Sequence, residues 1–462
     1  MIALSLAEIA SVTGGHLDAV PDGAVTVFGP VVADSREVAA GALFVAVRGE
    51  RVDGHDFAAA AVGDGAVAVL AEHAVGVPAV VVDDSVRALG DLAQEVLDRA
   101  GAATVVGVTG SSGKTGTKDL LAQVLAGRGP LVAPPNSYNT EVGVPLTVLT
   151  VDEATRTLVL EMGARGTGHI AYLCRIAPPR IGVVLNVGSA HLGVFGDRES
   201  IARSKAELVE ALEPDGTAVL NGDDPLVRRM AEQTEAAVLM VGESVHADIR
   251  AENVGLDGSG RAGFTLVAPD GTAPVRLQVV GVHQVGNALA AAGAAHALGL
   301  GVDAVAAALT AARPLSRWRM EVVERADGVT VVNDAYNANP ESMRAALTTL
   351  VAIAGDRRTW AVLGEMRELG EASAAEHEAL GRLAVRLDVG TVVAVGEGAR
   401  AVHVGAADEG SPQDAAAWVP DIGAALTLLR EHVRPGDVVL VKASRAAGLE
   451  RLADALVREV AG

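Results

Sequence analysis

Val105-Val106-Gly107-Val108-Thr109-Gly110-Ser111-Ser112-Gly113-Lys114-Thr115 decides the fold. Its first half is apolar and β-branched and predicts a buried strand. Its second half is a glycine-rich turn, and Thr115 to Ala126 carries helical spacing. A strand that empties through such a turn into a helix is a phosphate-binding arrangement. Glycines let backbone N–H groups approach phosphate oxygens, and the helix N-terminus adds partial positive charge. Lys114 reaches the terminal phosphates, and Thr115 can ligate magnesium. Gly110, Ser111, Ser112, Gly113, Lys114, Thr115 and Gly116 are therefore expected to hold ATP, with Lys114 also acting in catalysis. The strict Walker A pattern wants glycine where this chain has Val108.

On both sides of this loop, strands and helices alternate. Strands are expected at Thr157 to Glu161, Ile181 to Asn186, Ala218 to Asn221 and Ala237 to Val241, and helices at Glu199 to Leu212 and Val285 to Leu298. That alternation predicts a mostly parallel sheet with right-handed crossovers. Residues 247 to 280 are richer in turns and read as a small antiparallel patch. Alternation resumes after Arg313-Pro314, with strands near Thr330 to Asn333, Thr359 to Leu363, Thr391 to Val395 and Val438 to Val441. At roughly 150 residues per domain, 462 residues predict three domains. The expected fold is α/β: an N-terminal α/β domain over 1–100, a central P-loop mononucleotide-binding domain over 101–312, and a C-terminal Rossmann-like α/β domain over 313–462.

Composition narrows the partners. Half of the residues are hydrophobic but only 2% are aromatic, so the cores must be layers of Ala, Val and Leu, which suits sheets covered by helices. A formal charge of -21 with no basic stripe argues against nucleic acid. Anionic substrates must be held locally, by helix N-termini and individual basic side chains. The lone Cys174 permits no internal disulfide and reads as a buried structural thiol. No basic signal-peptide start and no apolar run of about 20 residues is present, so no membrane span and a cytoplasmic protein are expected. Of 37 basic residues four are lysine, leaving 33 arginines. Where Arg is the routine cation, a retained Lys points to a need for a compact, titratable amine.

Three further residues stand where chemistry could use them. Glu161 closes the strand Leu158-Val159-Leu160-Glu161, and the carboxyl ends of parallel strands face ligands; it reads equally as a magnesium ligand or a helix-capping acid. His191 follows another strand, and a histidine in isolation is more often structural. Lys205 lies in Arg203-Ser204-Lys205-Ala206-Glu207, by itself a solvated helix lysine.

With these pieces together, the chain resembles the Mur ligases of peptidoglycan synthesis over all three expected domains. Their loop reads Gly-Thr/Ser-x-Gly-Lys-Thr/Ser, which accounts for Val108. The resemblance implies that Glu161 and His191 are metal-site residues with Thr115, and that Lys205 is carbamylated, giving magnesium a carboxylate that Arg could not form. It makes Lys205 and His191 catalytic beside Lys114. Asn136-Ser137-Tyr138-Asn139-Thr140 resembles the segment that contacts the muramoyl-peptide, so Asn139 and Thr140 become substrate-binding candidates; the same residues read alone as a turn before a helix. Gly281-Val282-His283-Gln284-Val285-Gly286-Asn287 resembles the adenine-side element, with Asn287 on the nucleotide; alone, it is a helix cap.

Asp334-Ala335-Tyr336-Asn337-Ala338-Asn339-Pro340 separates branches of the family. Tripeptide-forming members carry Asp-Tyr-Ala-His there, whereas the branch that adds D-alanyl-D-alanine carries Tyr-Asn-Ala-Asn-Pro. Asp334 and Asn339 would face the nucleotide, and Arg319 its phosphates. Glu365 stands in a related motif where Asp is usual. Asp34-Ser35-Arg36 resembles the uridine-nucleotide domain, making Ser35 and Arg36 substrate-binding candidates, although turn chemistry alone could explain them.

The activity so implied is ATP-dependent amide ligation of UDP-N-acetylmuramoyl-tripeptide to D-alanyl-D-alanine through an acyl phosphate, with two magnesium ions and the carbamylated lysine, in a monomer. The base that deprotonates the amine stays open between His191 and a carboxylate. The alternatives are a tripeptide-forming Mur ligase, a folylpolyglutamate synthase, or a regulatory protein that binds ATP without ligating.

Overall fold

The computed structural model of the chain describes residues 2–49, 52–101, 103–188, 192–411 and 415–458. Among them run sheets of five, nine and six strands and a two-stranded ribbon, Leu4–Ser5 with Thr26–Val27. In the five-stranded sheet Val31–Val32, Leu43–Val45, Ala68–Ala71 and Ala79–Val81 are parallel, and His16–Asp18 is an antiparallel edge. The helix Ser85–Ala100 buries Leu89, Leu92, Val96 and Leu97. Asp84 caps its first turn by accepting from Val86 and Arg87 N–H, and Gly101 ends it at φ 62, a left-handed conformation that a Cβ would strain.

The central sheet is the longest. From Leu131–Val132 it passes through Thr157–Glu161, Thr104–Thr109, Ile181–Val184, Thr217–Asn221 and Ala237–Gly242 to Ile249–Leu256, all parallel. Arg261–Ala268 and Gly271–Val280 then add two antiparallel strands. Within residues 247–280 the three strands pair antiparallel with one another, as expected, and Ile249–Leu256 joins this small patch in parallel to the edge of the central sheet. The reason is one-sided burial. Ala273, Val275 and Leu277 alternate inward against the helices Gln284–Ala297 and Val302–Ala311, and the residues between them face water. In the six-stranded sheet Glu321–Glu324 is antiparallel to Thr330–Asn333, and the others are parallel in the order Thr330–Asn333, Val438–Lys442, Thr359–Leu363, Thr391–Val395, Ala416–Val419.

This order fixes where a ligand can bind. Thr104–Thr109 lies between Thr157–Glu161 on one side and Ile181–Val184 on the other, and the chain reverses its direction of travel across the sheet there. Such a switch point opens a crevice beyond the carboxyl ends of the strands. Glu161 stands in register with Val108, so its carboxylate arrives beside the phosphate loop. Val108 is fully buried within the strand, and the turn begins two residues later.

Cys174 sits in the helix His169–Ile176 with its Sγ 3.7 Å from Met162 Sδ, and burial pushes the thiol up from 9.0 to about 12. The folded chain then keeps a proton that the unfolded chain releases above pH 9.0, so this residue's contribution to stability falls as pH rises from 9.0 to about 12. At pH 8, Cys174 should stay unmodified by a small disulfide reagent in the native protein and react fully in denaturant; rapid native reaction would contradict the burial.

Candidate active site

A cleft of about 740 Å3 separates the central and six-stranded sheets. Its floor is the phosphate loop. Asn186, just past Ile181–Val184, grips Ser112 on both sides, accepting from its N–H at 3.0 Å and donating to its carbonyl at 3.2 Å. Ser111 N–H donates to Asn186 O, and Ser111 Oγ accepts from Gly188 N–H at 2.9 Å. Gly113 ends the turn at φ +85, and a Cβ there would strike Asn287 Oδ1. Only glycine fits both conditions. The helix Lys114–Leu125 starts with no side-chain cap at Gly113, which leaves its first N–H groups for an anion.

Lys114 Nζ donates to Gly110 O at 2.6 Å. Burial lowers its pKa, Glu161 opposes that shift, and the cationic Arg319 reinforces it. Glu161 is wholly buried: Oε2 accepts from Ser137 Oγ at 2.8 Å, while Oε1 has no hydrogen-bond partner. A buried carboxylate oxygen without a partner is costly, and a cation would satisfy it. The helix-capping alternative for Glu161 finds no support in these contacts. Thr115 is 3% exposed beside it.

Lys205 is not the solvated lysine that its polar neighbours suggest. It is 5% exposed on the helix Arg198–Glu210, and burial, then Lys114, lowers its pKa to about 7. The neighbouring Glu207 accepts from Gly168 and Ala171 N–H at 2.6 and 2.9 Å, so this carboxylate caps the start of the helix His169–Ile176 and leaves Lys205 to the cleft. Among the described residues no group of three His, Cys, Asp or Glu is suited to hold a metal. The oxygen donors on hand are the Thr115 hydroxyl and the partnerless Glu161 oxygen, and Lys205 would add oxygen only after carbamylation. Residues of these types fit a hard divalent cation. His191 lies outside the described residues.

The opposite wall comes from the third sheet. Asn339 caps the helix Pro340–Ala354, with Oδ1 accepting from Ser342 N–H at 2.8 Å, and its Nδ2 reaches Ser111 O at 3.5 Å across the cleft. Arg319 lies over the Tyr336 ring at 4.0 Å, and its buried Nε has no hydrogen-bond partner. Asp334 is engaged by Lys442 Nζ at 2.6 Å and Met320 N–H at 3.0 Å. Asn287 accepts from Thr117 Oγ1 at 3.3 Å and donates to Gln284 Oε1 at 2.8 Å, bracing the phosphate loop. Asn139 donates to Ser137 Oγ at 3.1 Å, and Thr140 Oγ1 accepts from Gly143 N–H at 3.2 Å.

The residues from Gly110 to Gly116, with Asn139, Thr140, Glu161, Lys205, Asn287, Arg319, Asp334 and Asn339, thus line one cleft. Ser35 and Arg36 do not. They form a 3-10 turn capped by Asp34, and the exposed Arg36 guanidinium pairs with that same carboxylate. Sequence reading missed Asn186 and Ser137, whose roles come from partners 74 and 24 residues away. It also missed a second cavity of about 540 Å3, lined by Glu365, Gly396, Glu397, Asp421 and Arg451.

Comparison with known proteins now bears on this geometry. Family models for the Mur ligase family catalytic domain, the Mur ligase middle domain, and the Mur ligase, glutamate ligase domain match residues 30–103, 108–295 and 318–445. The chain belongs to the Mur ligase family. The UDP-N-acetylmuramoyl-tripeptide--D-alanyl-D-alanine ligase of Mycobacterium bovis is 52% identical, over 99% of this chain and 98% of the relative, and that of Escherichia coli is 32% identical over 99% of both. MurF from Acinetobacter baumannii superposes with a TM-score of 0.88 at 31% identity over 99% of each chain. MurF ligase from Thermotoga maritima in complex with ADP does so at 0.81 and 35%, over 94% of this chain and 98% of that one. Like these Mur ligases, the protein is an ATP-dependent ligase with three α/β domains.

Gly113→Ala should weaken ATP binding by about 10-fold or more, because the loop cannot keep its left-handed turn beside Asn287. Titration with a fluorescent ATP analogue checks this, and unchanged affinity would contradict the collision.

Proposed function

We propose that this Mur ligase joins D-alanyl-D-alanine to UDP-N-acetylmuramoyl-tripeptide, forming the pentapeptide precursor of peptidoglycan. Full-length identity of 52% to the mycobacterial ligase of that name carries the reading. The tripeptide's terminal carboxylate oxygen bonds to the γ-phosphorus of ATP as the bond to the bridging oxygen breaks and ADP leaves. The dipeptide amine then attacks the acyl carbon, loses a proton, and expels phosphate.

The chain's own groups serve positioning and charge. Loop N–H groups and the helix start at Lys114 hold the phosphates, and Lys114 and Arg319 offset charge that spreads over the transferring phosphoryl group. Asn139 and Thr140, which line the same cleft, would meet the tripeptide carboxylate. Asp334 and Asn339 would close on the nucleotide from the third sheet, and Ser35 and Arg36 would meet the uridine end. A reaction that consumes ATP and a uridine nucleotide belongs in the cytoplasm.

Thr115, Glu161, His191 and a carbamylated Lys205 would hold magnesium, as two ions; bound there, the metal neutralises phosphate charge. An amine with pKa lowered to about 7 is substantially neutral near pH 7, the form that adds carbon dioxide to give a carbamate and release a proton.

Phosphate release should require ATP, UDP-muramoyl-tripeptide and D-alanyl-D-alanine together. Equal turnover with a single amino acid, or with folate and glutamate, would overturn the reading. Lys205→Ala should lose at least about 100-fold in kcat and recover part of it with a short free carboxylate. NMR with 13C-bicarbonate should detect a carbamate in the native protein that Lys205→Arg lacks, a readout independent of turnover.

A further inference from the structure

We infer that Asp119 and Gln123, on the helix Lys114–Leu125 that follows the phosphate loop, are positioning residues for Arg319, acting through the segment 313–316 between the central and third sheets. The inference rests on the ATP-dependent ligation proposed above, but part of its test does not need turnover. Gln123 holds Arg313 by both main-chain groups: Oε1 accepts from N–H at 2.8 Å, and Nε2 donates to the carbonyl at 3.0 Å. One helical turn nearer the loop, Asp119 Oδ2 accepts from Ser316 Oγ at 2.6 Å.

Asp119 is itself fixed from behind. Its Oδ1 pairs at 2.6 Å with Lys118 Nζ, which is buried and also donates to Pro134 O at 2.6 Å. That second contact ties the same cluster to the stretch leading to Ser137 and Glu161. Lys118 is thus a retained lysine that the ligation chemistry does not use, and its burial explains why an acid must stand beside it.

Beyond Ser316 the backbone is strained. Trp318 and Met320 adopt φ of 59 and 50, left-handed values that large side chains rarely take, and they flank Arg319. The far end of this strained piece is held by the third sheet, where Met320 N–H donates to Asp334 Oδ1 at 3.0 Å and Trp318 O accepts from Tyr336 N–H at 3.1 Å. Arg319 therefore stands between two anchorages, one on the nucleotide-binding helix and one on the opposite wall. Its unpartnered Nε is a donor kept for a ligand. Releasing the Asp119 and Gln123 anchorage lets the strain relax and moves Arg319 away from the phosphates, with the loop itself untouched.

Asp119→Ala would strand the buried Lys118 ammonium and unfold the central sheet, so Ser316→Ala, Gln123→Ala and Ser316→Thr are the informative variants. Ser316→Ala should lower kcat for phosphate release by about 10-fold or more, with ADP affinity and thermal midpoint close to wild type, and Ser316→Thr should recover most of the rate. Arg319 should be protected from phenylglyoxal by ATP in the wild-type chain and not in Ser316→Ala or Gln123→Ala, followed by peptide mass spectrometry. Unchanged kcat and protection in Ser316→Ala would overturn the inference, as would loss of kcat, ADP affinity and stability in step. A wild-type chain that protects Arg319 yet shows no turnover with the dipeptide would instead overturn the proposed substrate and leave the positioning role standing.

Discussion

Lys205 is buried and Lys114 half-buried, close enough that the charge on Lys114 lowers the proton affinity of Lys205, with Arg319 adding a third positive group. Concentrating cations inside low dielectric is unfavourable unless something compensates, and Glu161 is the compensating carboxylate that acts on Lys114. The rest of the architecture serves that balance. Register with the central strand brings Glu161 to the loop, Asn186 stiffens the loop that aims Lys114, and Glu207 is diverted to a helix start beside Lys205. A chain of net charge -21 thereby keeps one local region able to attract polyphosphate.

The site is divided between two sheets, so it exists only where they meet. Asn339 crosses to the loop carbonyl of Ser111, and Gly193 N–H donates to Glu368 O at 3.3 Å. At the latter crossing Gly193 faces Gly370, and a Cβ on either would press into the other's backbone. Main chain touches main chain there because neither residue carries a side chain.

The strands were legible because buried parallel strands are continuous runs of Val, Leu and Ile bounded by turns, and the switch point follows from their order. The phosphate loop was legible because its chemistry is local in sequence. Lys205 was misread in isolation, since its helix is polar on average and its burial comes from elements elsewhere in the chain. Asp119, Gln123 and Ser316 were invisible for the same reason: their partners lie 197 and 190 residues away, and each looks like an ordinary surface residue. Ser35 and Arg36 stand apart from the cleft because they follow Val31–Val32 in the five-stranded sheet's region, where Asp34 accepts from the Arg36 N–H and guanidinium.

The four lysines do not behave as surface cations. Lys118, Lys205 and Lys442 are buried, and Lys114 lies in the phosphate loop, while arginines cover the exterior. Acylating dyes, amine crosslinkers and activated resins will consequently find no ordinary side-chain amine on the outside of the protein. Any lysine they capture reports on the cleft or on the packing just beneath it, so immobilisation or labelling by amine chemistry and retention of the native site are opposed in this molecule.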